Sequence, residues 1–362
     1  MIRRIAIPGV VAVFCALAGP ATAARVREPL TVRLFARVPA PGLPEGIAVD
    51  RQRHRVYVGT SPKDPGPNPP PSKVFAFSTH GKLKDQWTIR GQDLSNPSYG
   101  LYGISLDRDG RLYIADFAPP RVIRLNPQTG RQVTYARLPD VPPCVAALGS
   151  EQCSAAPDDR APFPNYPTFA PDGAMYVTDT TQALIWRVPP GGGTASVWFS
   201  DPSLDSVFGP DGAQVTPDRR TLMFAMATPG PLAPAGLYTI RILPDGSAGK
   251  LKPLWQAPFG EFLDGFAFGR SGKIYETLNN GLVIVSPEGE VVANVPMQQP
   301  GQAVPFDAPA NVAFLGKRAL VTNHAWITRD ARDYAVLDLF AGERGARPFR
   351  PAEPHAPAVE GR

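Results

Sequence analysis

Residues 43–59, "LPEGIAVDRQRHRVYVG", contain the pattern that decides the fold. Two short apolar segments rich in β-branched residues, 47–49 and 56–58, flank a polar turn. This arrangement is typical of two antiparallel strands joined by a hairpin. Glu45 stands directly before the first strand, although an unpaired charge is costly to bury. The stretch therefore predicts a strand pair and leaves the position of Glu45 to be explained.

The same pattern recurs along the chain at residues 45, 102, 165, 211, 264 and 310. The later copies read "YGISLDRDGRLYIAD", "NYPTFAPDGAMYVTD", "DGAQVTPDRRTLMFA", "DGFAFGRSGKIYET" and the weaker "ANVAFLGKRALVTN". Their spacing of roughly 50 residues matches a four-stranded propeller blade, and helical periodicity is scarce. The sequence therefore predicts an all-β, six-bladed β-propeller over residues 24–345.

The first residue of each copy falls at one shared position: Glu45, Tyr102, Asn165, Asp211, Asp264 and Ala310. In a propeller the innermost strands line the axial channel, so these six residues are expected to form a ring. Four of them carry oxygen ligands of the kind that hard cations prefer. We therefore predict one divalent metal site formed by Glu45, Asn165, Asp211 and Asp264. Ca²⁺ is the first expectation, and Mg²⁺, Mn²⁺ and Zn²⁺ remain open.

Turn chemistry is the alternative explanation of these residues, since Asp-Gly pairs are common in hairpins. The pairs at 109–110 and 172–173 lie between the two strands of a copy and fit that explanation. Those at 211–212 and 264–265 precede the first strand instead. Their shared register favours the metal site.

Several segments resemble the senescence marker protein/gluconolactonase (lactonase) family: "LPEGIAVD", "FPNYPTFAPDG", "FGPDGAQVTPDRRTLMFA" and "FLDGFAFGRSGKIYETLNNGLVIVSPEGE". More distantly they resemble paraoxonases and strictosidine-synthase-like proteins. The resemblance spans roughly residues 40–325. It implies that Glu45, Asp211 and Asp264 bind a divalent cation and that Asn165 contacts substrate. Tyr102, at the equivalent position of the second copy, is also expected to bind substrate.

The chain departs from the family pattern at two positions. Asp211 stands where the family usually has Asn, which adds a negative charge at the metal. Phe163 stands where sugar-binding members have Arg. A less polar ligand than a sugar lactone is therefore expected.

These features predict a metal-dependent hydrolase of a small lactone or ester, in which the cation polarises the carbonyl. The resemblance implies that Asp264 is the general base, with Asp211 as the second candidate. No G-x-S-x-G motif supports a serine hydrolase. Two alternatives remain open: a non-catalytic propeller that binds a ligand or protein partner around a structural Ca²⁺, and a strictosidine-synthase-like condensation. His324 is expected to be a surface or core histidine rather than part of the site.

The N-terminus predicts export. Residues 1–23, "MIRRIAIPGVVAVFCALAGPATA", have the basic start, apolar run and small-residue end of a cleaved signal peptide. The mature protein is then periplasmic or secreted, with no integral membrane segment. No dense Lys/Arg run is present, so nucleic-acid binding is not expected.

Cys144 and Cys153, in "CVAALGSEQC", are expected to form a disulfide in an exported chain. Free thiols or a metal pair are the alternatives, and no neighbouring His or Cys supports the latter. Residues 346–362 are rich in Pro, Ala and charge. They are predicted to be a disordered tail.

Overall fold

Six antiparallel sheets form a closed ring in the computed structural model, which describes residues 27–62 and 68–352. Each innermost strand contacts the innermost strands of both neighbouring sheets, and the sixth contacts the first. The predicted six-bladed β-propeller is therefore confirmed. The predicted signal peptide, 1–23, lies outside the described residues, as does segment 63–67 between the second and third strands of the first blade.

The first two blades follow the predicted copies in order. Blade one comprises β2 (Pro44–Asp50), β3 (Arg55–Thr60), β4 (Lys73–Ser78) and β5 (Leu83–Thr88). Blade two comprises β6 (Leu101–Leu106), β7 (Leu112–Asp116), β8 (Arg121–Leu125) and β9 (Gln132–Arg137). A two-residue strand, β13 (Gly193–Thr194), pairs with the outer edge of β9 and links blade two to blade three.

Blades three and four have the same order of strands from the axis outward. Blade three comprises β10 (Pro164–Phe169), β11 (Met175–Asp179), β12 (Leu184–Val188) and β14 (Ser196–Ser200). A single 3₁₀ turn, Pro202–Leu204, follows it. Blade four comprises β15 (Pro210–Val215), β16 (Thr221–Met226), β17 (Gly236–Ile242) and β18 (Ala248–Gln256).

The last two blades complete the ring, and the sixth takes its outermost strand from the start of the chain. Blade five comprises β19 (Phe266–Phe268), β20 (Ile274–Leu278), β21 (Gly281–Val285) and β22 (Val291–Val295). Blade six comprises β23 (Pro309–Leu315), β24 (Arg318–Asn323), β25 (Ala335–Phe340) and β1 (Val32–Arg37). The repeat pattern did not reveal that β1 closes the ring.

Apolar side chains fill the space between facing sheets. Tyr176 and Ile185 of blade three, for example, pack against Phe224 and Ile240 of blade four. Because both faces of a blade are covered in this way, the inner strands are buried along most of their length. The ring positions at the start of these strands are held in place by this packing.

The long connection between β9 and β10 contains the predicted disulfide between Cys144 and Cys153. Among the described residues, no helix has the length and apolar character needed to cross a bilayer.

The start of the predicted disordered tail is ordered instead. Phe349 packs against the core between blades two and three, and the Arg350 guanidinium donates to the Val49 carbonyl at 2.7 Å. One aromatic residue and carbonyl acceptors on the propeller are sufficient to hold a segment whose composition is otherwise polar and Pro-rich. Residues 353–362 lie outside the described residues.

Asp338 on β25 links the two ends of the ring, and its loss should destabilise the fold. Its carboxylate accepts hydrogen bonds from Arg27, which precedes β1, at 2.7 Å and from Arg318 at 3.0 Å. We expect Asp338→Asn to lower the free energy of unfolding by about 1–3 kcal/mol, because two partly buried arginines lose their counter-charge. Urea denaturation measures this change.

Asp330→Asn is the matched control. Asp330 pairs with Arg332, whose side chain is 87% exposed, and exposed ion pairs contribute little to stability. Equal effects of the two substitutions would contradict the role assigned to Asp338 in closing the ring.

Candidate functional site

β-Bulges bring the ring positions to the upper end of the channel, defined here as the end where the inner strands begin. In five blades an extra residue in the inner strand shifts the pairing with the second strand. Such bulges redirect side chains. The residues within them are Glu45, Tyr102, Asn165, Asp211 and Ala310. In blade five, Asp264 lies two residues before β19, with Gly265 between them.

Threonine hydroxyls fix the backbone of two ring residues from the neighbouring blade. Thr178 accepts a hydrogen bond from the Tyr166 N–H at 3.0 Å and donates to the Asp211 carbonyl at 2.7 Å. Thr322 donates to the Glu45 carbonyl at 2.6 Å. Each hydroxyl therefore connects one blade to the next. By fixing the carbonyls of Asp211 and Glu45, the two hydroxyls set the positions from which these carboxylates extend.

Glycine follows several ring residues because neighbouring backbones approach closely at the axis. A Cβ at Gly46 would lie 2.0 Å from the Tyr102 carbonyl oxygen, and one at Gly212 would lie 2.3 Å from that of Asp264. Neither glycine has a positive φ, whereas Gly110 and Gly173 in the hairpins do. The Asp-Gly pair at 211–212 thus serves close packing at the axis, and the pairs at 109–110 and 172–173 are turns.

The carboxylates of the ring lie close to one another in a buried region. Glu45 and Asp211 are only 2% and 3% exposed. Burial raises the pKa of Asp264 well above its ordinary value, and the neighbouring charges of Asp211 and Glu45 raise it further. Without a cation between them, these groups therefore disfavour one another's ionised forms.

Glu276 on β20 is a fourth carboxylate that the sequence reasoning missed. It is fully buried, and neither of its oxygens has a hydrogen-bond partner of ordinary geometry among the described residues. Burial raises its pKa well above the usual value, and Asp211 raises it further. The sequence did contain a sign of this residue. Glu276 occupies a position of the second strand that holds an apolar residue in each of the other five copies: Val58, Ile114, Val177, Phe224 and Val321.

His324 lies in the site, contrary to the expectation of a surface or core histidine. Its Nδ1 atom is 3.3 Å from Oε2 of Glu45, and its side chain is 8% exposed. It follows β24 in a loop that is anchored by the Asp307 carboxylate, which accepts hydrogen bonds from the Ile327 and Thr328 N–H groups at 3.0 Å. Sequence spacing could not show this, because the anchor comes from a different connection.

Neutral polar groups complete the ring. Oδ1 of Asn165 and both polar atoms of Asn311 are buried with no hydrogen-bond partner among the described residues. Asn311, one residue after the apolar Ala310, is thus the polar contribution of blade six. Burial raises the pKa of Tyr102, and the charges of Glu45, Asp211 and Asp264 add to this effect. Its phenol therefore stays neutral.

This set of donors fits a hard divalent cation. It offers four carboxylates and two amide groups. Buried oxygens of Asn165, Asn311 and Glu276 lack a hydrogen-bond partner of ordinary geometry among the described residues, which is costly unless a ligand satisfies them. No group of three or more His, Cys, Asp or Glu side chains stands in metal-binding geometry in the part of the chain that the structure describes. The ring is therefore a collection of suitable donors rather than a finished coordination shell.

An aromatic wall adjoins the ring on one side. The Phe163 ring lies 4.8 Å from that of Tyr102 and 4.5 Å from that of Phe117, measured between centroids. A second pair, Phe208 and Phe262, lies in the connections before blades four and five, 5.5 Å apart. Phe163 thus contributes an apolar surface beside the carboxylates.

Exposed apolar residues are concentrated on the loops around the upper end of the channel. Strands alternate in direction, so the loops between second and third strands and the connections between blades all lie at this end. Eight of the twelve large apolar side chains exposed in the described residues are found there, and the other four lie on outer strands. The eight are Val145, Leu148, Val207, Leu232, Phe259, Met297, Trp326 and Ile327.

Comparison with known proteins supports the fold. No family model and no curated protein matches the chain. Among solved structures, it is similar to a calcium-binding regucalcin from Agrobacterium tumefaciens, with 16% identity, a TM-score of 0.62, and 90% of this chain and 98% of that chain covered.

Two further structures share the architecture. A gluconolactonase from Xanthomonas campestris has 16% identity, a TM-score of 0.57, and coverage of 88% of this chain and 99% of that one. A virginiamycin B lyase from Staphylococcus aureus has 13% identity, a TM-score of 0.53, and coverage of 85% and 98%. At these identities the similarity shows the propeller fold alone, and proteins of different chemistry share it.

Removal of the Glu276 charge should stabilise the metal-free protein at neutral pH. The pKa of Glu276 is raised in the folded state, so its ionisation opposes folding above its unfolded pKa. We expect Glu276→Gln to raise the melting temperature by a few degrees, roughly 1–3 kcal/mol, at pH 7.5 in EDTA. The gain should shrink as the pH falls towards and below 4.5, the ordinary pKa of Glu, because the carboxyl is then protonated in the folded state and increasingly also in the unfolded state.

Differential scanning fluorimetry across this pH range measures the effect. Glu290→Gln, at an exposed position after β21, is the control and should change the melting temperature little at any pH. A destabilising Glu276→Gln in the metal-free protein would show that the carboxylate has a partner that the substitution breaks.

Proposed function

We propose that the protein is a divalent-metal-dependent hydrolase of the lactonase or esterase type. The observation that carries this proposal is the convergence of four carboxylates, Glu45, Asp211, Asp264 and Glu276, at one end of the axial channel, where burial and mutual repulsion raise the pKa of Asp264 and of Glu276. A divalent cation held by these groups, most simply Ca²⁺, would supply Lewis-acid polarisation of a carbonyl. Asn165 and Asn311 offer amide groups to the same ligand or to the substrate.

The remaining chemistry is assigned to side chains of the ring. Asp264 is the proposed base that takes a proton from the attacking water, because its raised pKa brings it towards the range in which a general base works. Asp211 is the second candidate. Tyr102, which stays protonated, can donate a hydrogen bond to an oxygen on which negative charge develops. His324, which contacts Glu45, is the proposed group that exchanges a proton with the leaving oxygen.

The substrate is proposed to carry an apolar group rather than a sugar. Phe163, Phe117 and Tyr102 form an aromatic surface beside the ring, and exposed apolar residues surround the upper mouth. A polyhydroxylated ring would leave its hydroxyl groups unpaired against such a wall, which costs free energy. An alkyl or aryl substituent would bury apolar area there instead.

We also propose that the mature protein is exported to the periplasm or secreted. The composition of residues 1–23 supports this location, and the disulfide between Cys144 and Cys153 is of a kind that persists in oxidising compartments.

Two substitutions separate the metal ligand from the base. Glu45→Gln removes one charge from the ring, so cation binding should weaken and added metal should restore most of the turnover. Asp264→Asn keeps an oxygen but cannot accept a proton, so turnover should fall by about 10²–10⁴ even at saturating metal. Turnover of a lactone panel at increasing Ca²⁺, with metal analysis of each purified variant, measures both effects.

The non-catalytic alternative gives a different result. Because the ring residues come from different blades, a bound cation would also hold the blades together without any chemistry. Metal-dependent stabilisation with no turnover of any lactone or ester would support that alternative. Near wild-type turnover of Asp264→Asn at saturating metal would pass the role of base to Asp211.

Apolar substrate binding predicts a dependence on chain length. Among lactones that differ in one alkyl substituent, kcat/KM should rise by about twofold to fourfold per added methylene over the first few carbons. Phe208→Ala should reduce this slope, whereas Leu83→Ala, at an exposed site on outer strand β5, should leave it unchanged. Faster turnover of a sugar lactone than of every alkyl lactone would refute the apolar preference.

A further inference from the structure

A second cavity occupies the lower part of the axial channel, at the end opposite to the carboxylate ring. Its volume is about 520 Å³, within the range of small-molecule sites. The inner strands of all six blades supply its walls. Blade three contributes Tyr166 and Thr168, and the other five contribute the apolar part of the wall: Ile47, Val49, Ile104, Leu106, Val215, Phe268, Val312 and Phe314. The cavity begins one to three residues below the ring positions along each strand.

Five arginines line this cavity: Arg51, Arg108, Arg219, Arg347 and Arg350. None of them forms a salt bridge with a carboxylate of the described residues. Asp50 and Asp107 interact with Arg350, but each also pairs with another arginine. Asp50 pairs with Arg53 at 3.0 Å, and Asp107 pairs with Arg111 at 3.4 Å. Burial and the nearby charges of Arg347 and Arg344 lower the pKa of Arg51. The lower end of the channel thus carries an excess of positive charge, because its five arginines outnumber the two carboxylates near them, which other arginines also share.

Residues 346–351 cross the lower end and bring two of these arginines with them. The Ala346 N–H donates to the Phe268 carbonyl at 2.8 Å, and the backbone N–H of Arg108 donates to the Pro351 carbonyl at 3.0 Å. The Arg350 guanidinium donates to the Val49 carbonyl inside the channel at 2.7 Å. Arg219 stacks over the Phe349 ring at 4.9 Å. The segment is therefore held in place while Arg347 stays exposed beside the opening.

We propose that this lower cavity binds an amphiphilic anion, with an alkyl chain along the apolar channel wall and a carboxylate among Arg51, Arg347 and Arg350. Apolar walls alone would favour any hydrophobic ligand, and arginines alone would favour any anion. Their arrangement in one cavity selects a molecule that carries both groups. Arginine suits such a headgroup because its planar fork donates two parallel hydrogen bonds to a carboxylate.

Calorimetric titration of the full chain with straight-chain carboxylates tests the proposal. From hexanoate to decanoate, the affinity should rise about fourfold per methylene as the chain is buried. Decanol, which has no charge, should bind at least tenfold more weakly than decanoate, and acetate should not bind measurably. Equal affinity for decanoate and decanol would overturn the proposal.

Variants locate the binding site. Arg347→Gln and Arg51→Gln should each weaken decanoate binding by at least tenfold and leave decanol binding unchanged. Arg332→Gln, at an exposed position in the loop before β25, is the matched control and should have no effect. Phe208→Ala, beside the upper end, should also have no effect. A loss of decanoate affinity in Phe208→Ala, or none in Arg347→Gln and Arg51→Gln, would place the ligand elsewhere and refute the lower site.

The chain's own C-terminal segment is another candidate occupant of the cavity, because residues 353–362 include the acidic Glu353 and Glu360. A truncated chain that ends at Ala352 tests this alternative. Unchanged decanoate binding after this truncation supports the proposal. Binding that appears only after truncation would show that the chain's own acidic segment fills the cavity, and the proposal would fail. Neither result depends on turnover at the carboxylate ring.

Discussion

Pairing of β1 with β25 is the interaction on which the rest of the structure depends. It joins the first strand of the described chain to the last blade and closes a ring in which each inner strand is held by two neighbours. In an open array the first and sixth blades would have no fixed relation. Contacts such as that between His324 of blade six and Glu45 of blade one exist only because the ring is closed.

Closure of the ring does not by itself direct the ring side chains towards the axis. The β-bulges in the inner strands have that effect. An ordinary strand alternates its side chains between two faces, which in a propeller would direct the ring residues towards neighbouring blades. The extra residue at each bulge turns the side chain into the channel. Thr178 and Thr322 then fix the carbonyls of Asp211 and Glu45 across the blade boundary. The backbone therefore decides where each ring side chain lies. For this reason residues as different as Glu45, Tyr102 and Asn165 can occupy equivalent positions.

The sequence was sufficient for the features that repeat and insufficient for those that do not. The blade architecture and the placement of Glu45, Asp211 and Asp264 near one another followed from register, because equivalent positions in a symmetric ring must converge. Glu276 lies on a second strand, so a comparison of first positions could not include it. His324 depends on a loop anchored by Asp307 of another connection. The order of residues 346–352 depends on where Phe349 and Arg350 meet the finished propeller, which composition does not encode.

The two ends of the channel carry opposite charge, and this asymmetry bears on how an anionic molecule would behave in it. Glu45 and Arg51 belong to the same inner strand region, six residues apart, which corresponds to roughly 20 Å. At that separation a single pair of charges interacts by less than about 1 kcal/mol even at an effective dielectric constant of 20. Because several carboxylates face several arginines, the total interaction is larger than that of one pair. Salt also screens charges inside the protein less than charges in open solvent.

Ester or lactone hydrolysis creates a carboxylate where none existed. A cation held by the upper ring would offset its carboxylates and attract that product, whereas the ring without a cation would repel it. The arginines favour an anion at the lower end in either state. Removal of the metal would therefore change anion binding above and leave it unchanged below, without any movement of the propeller.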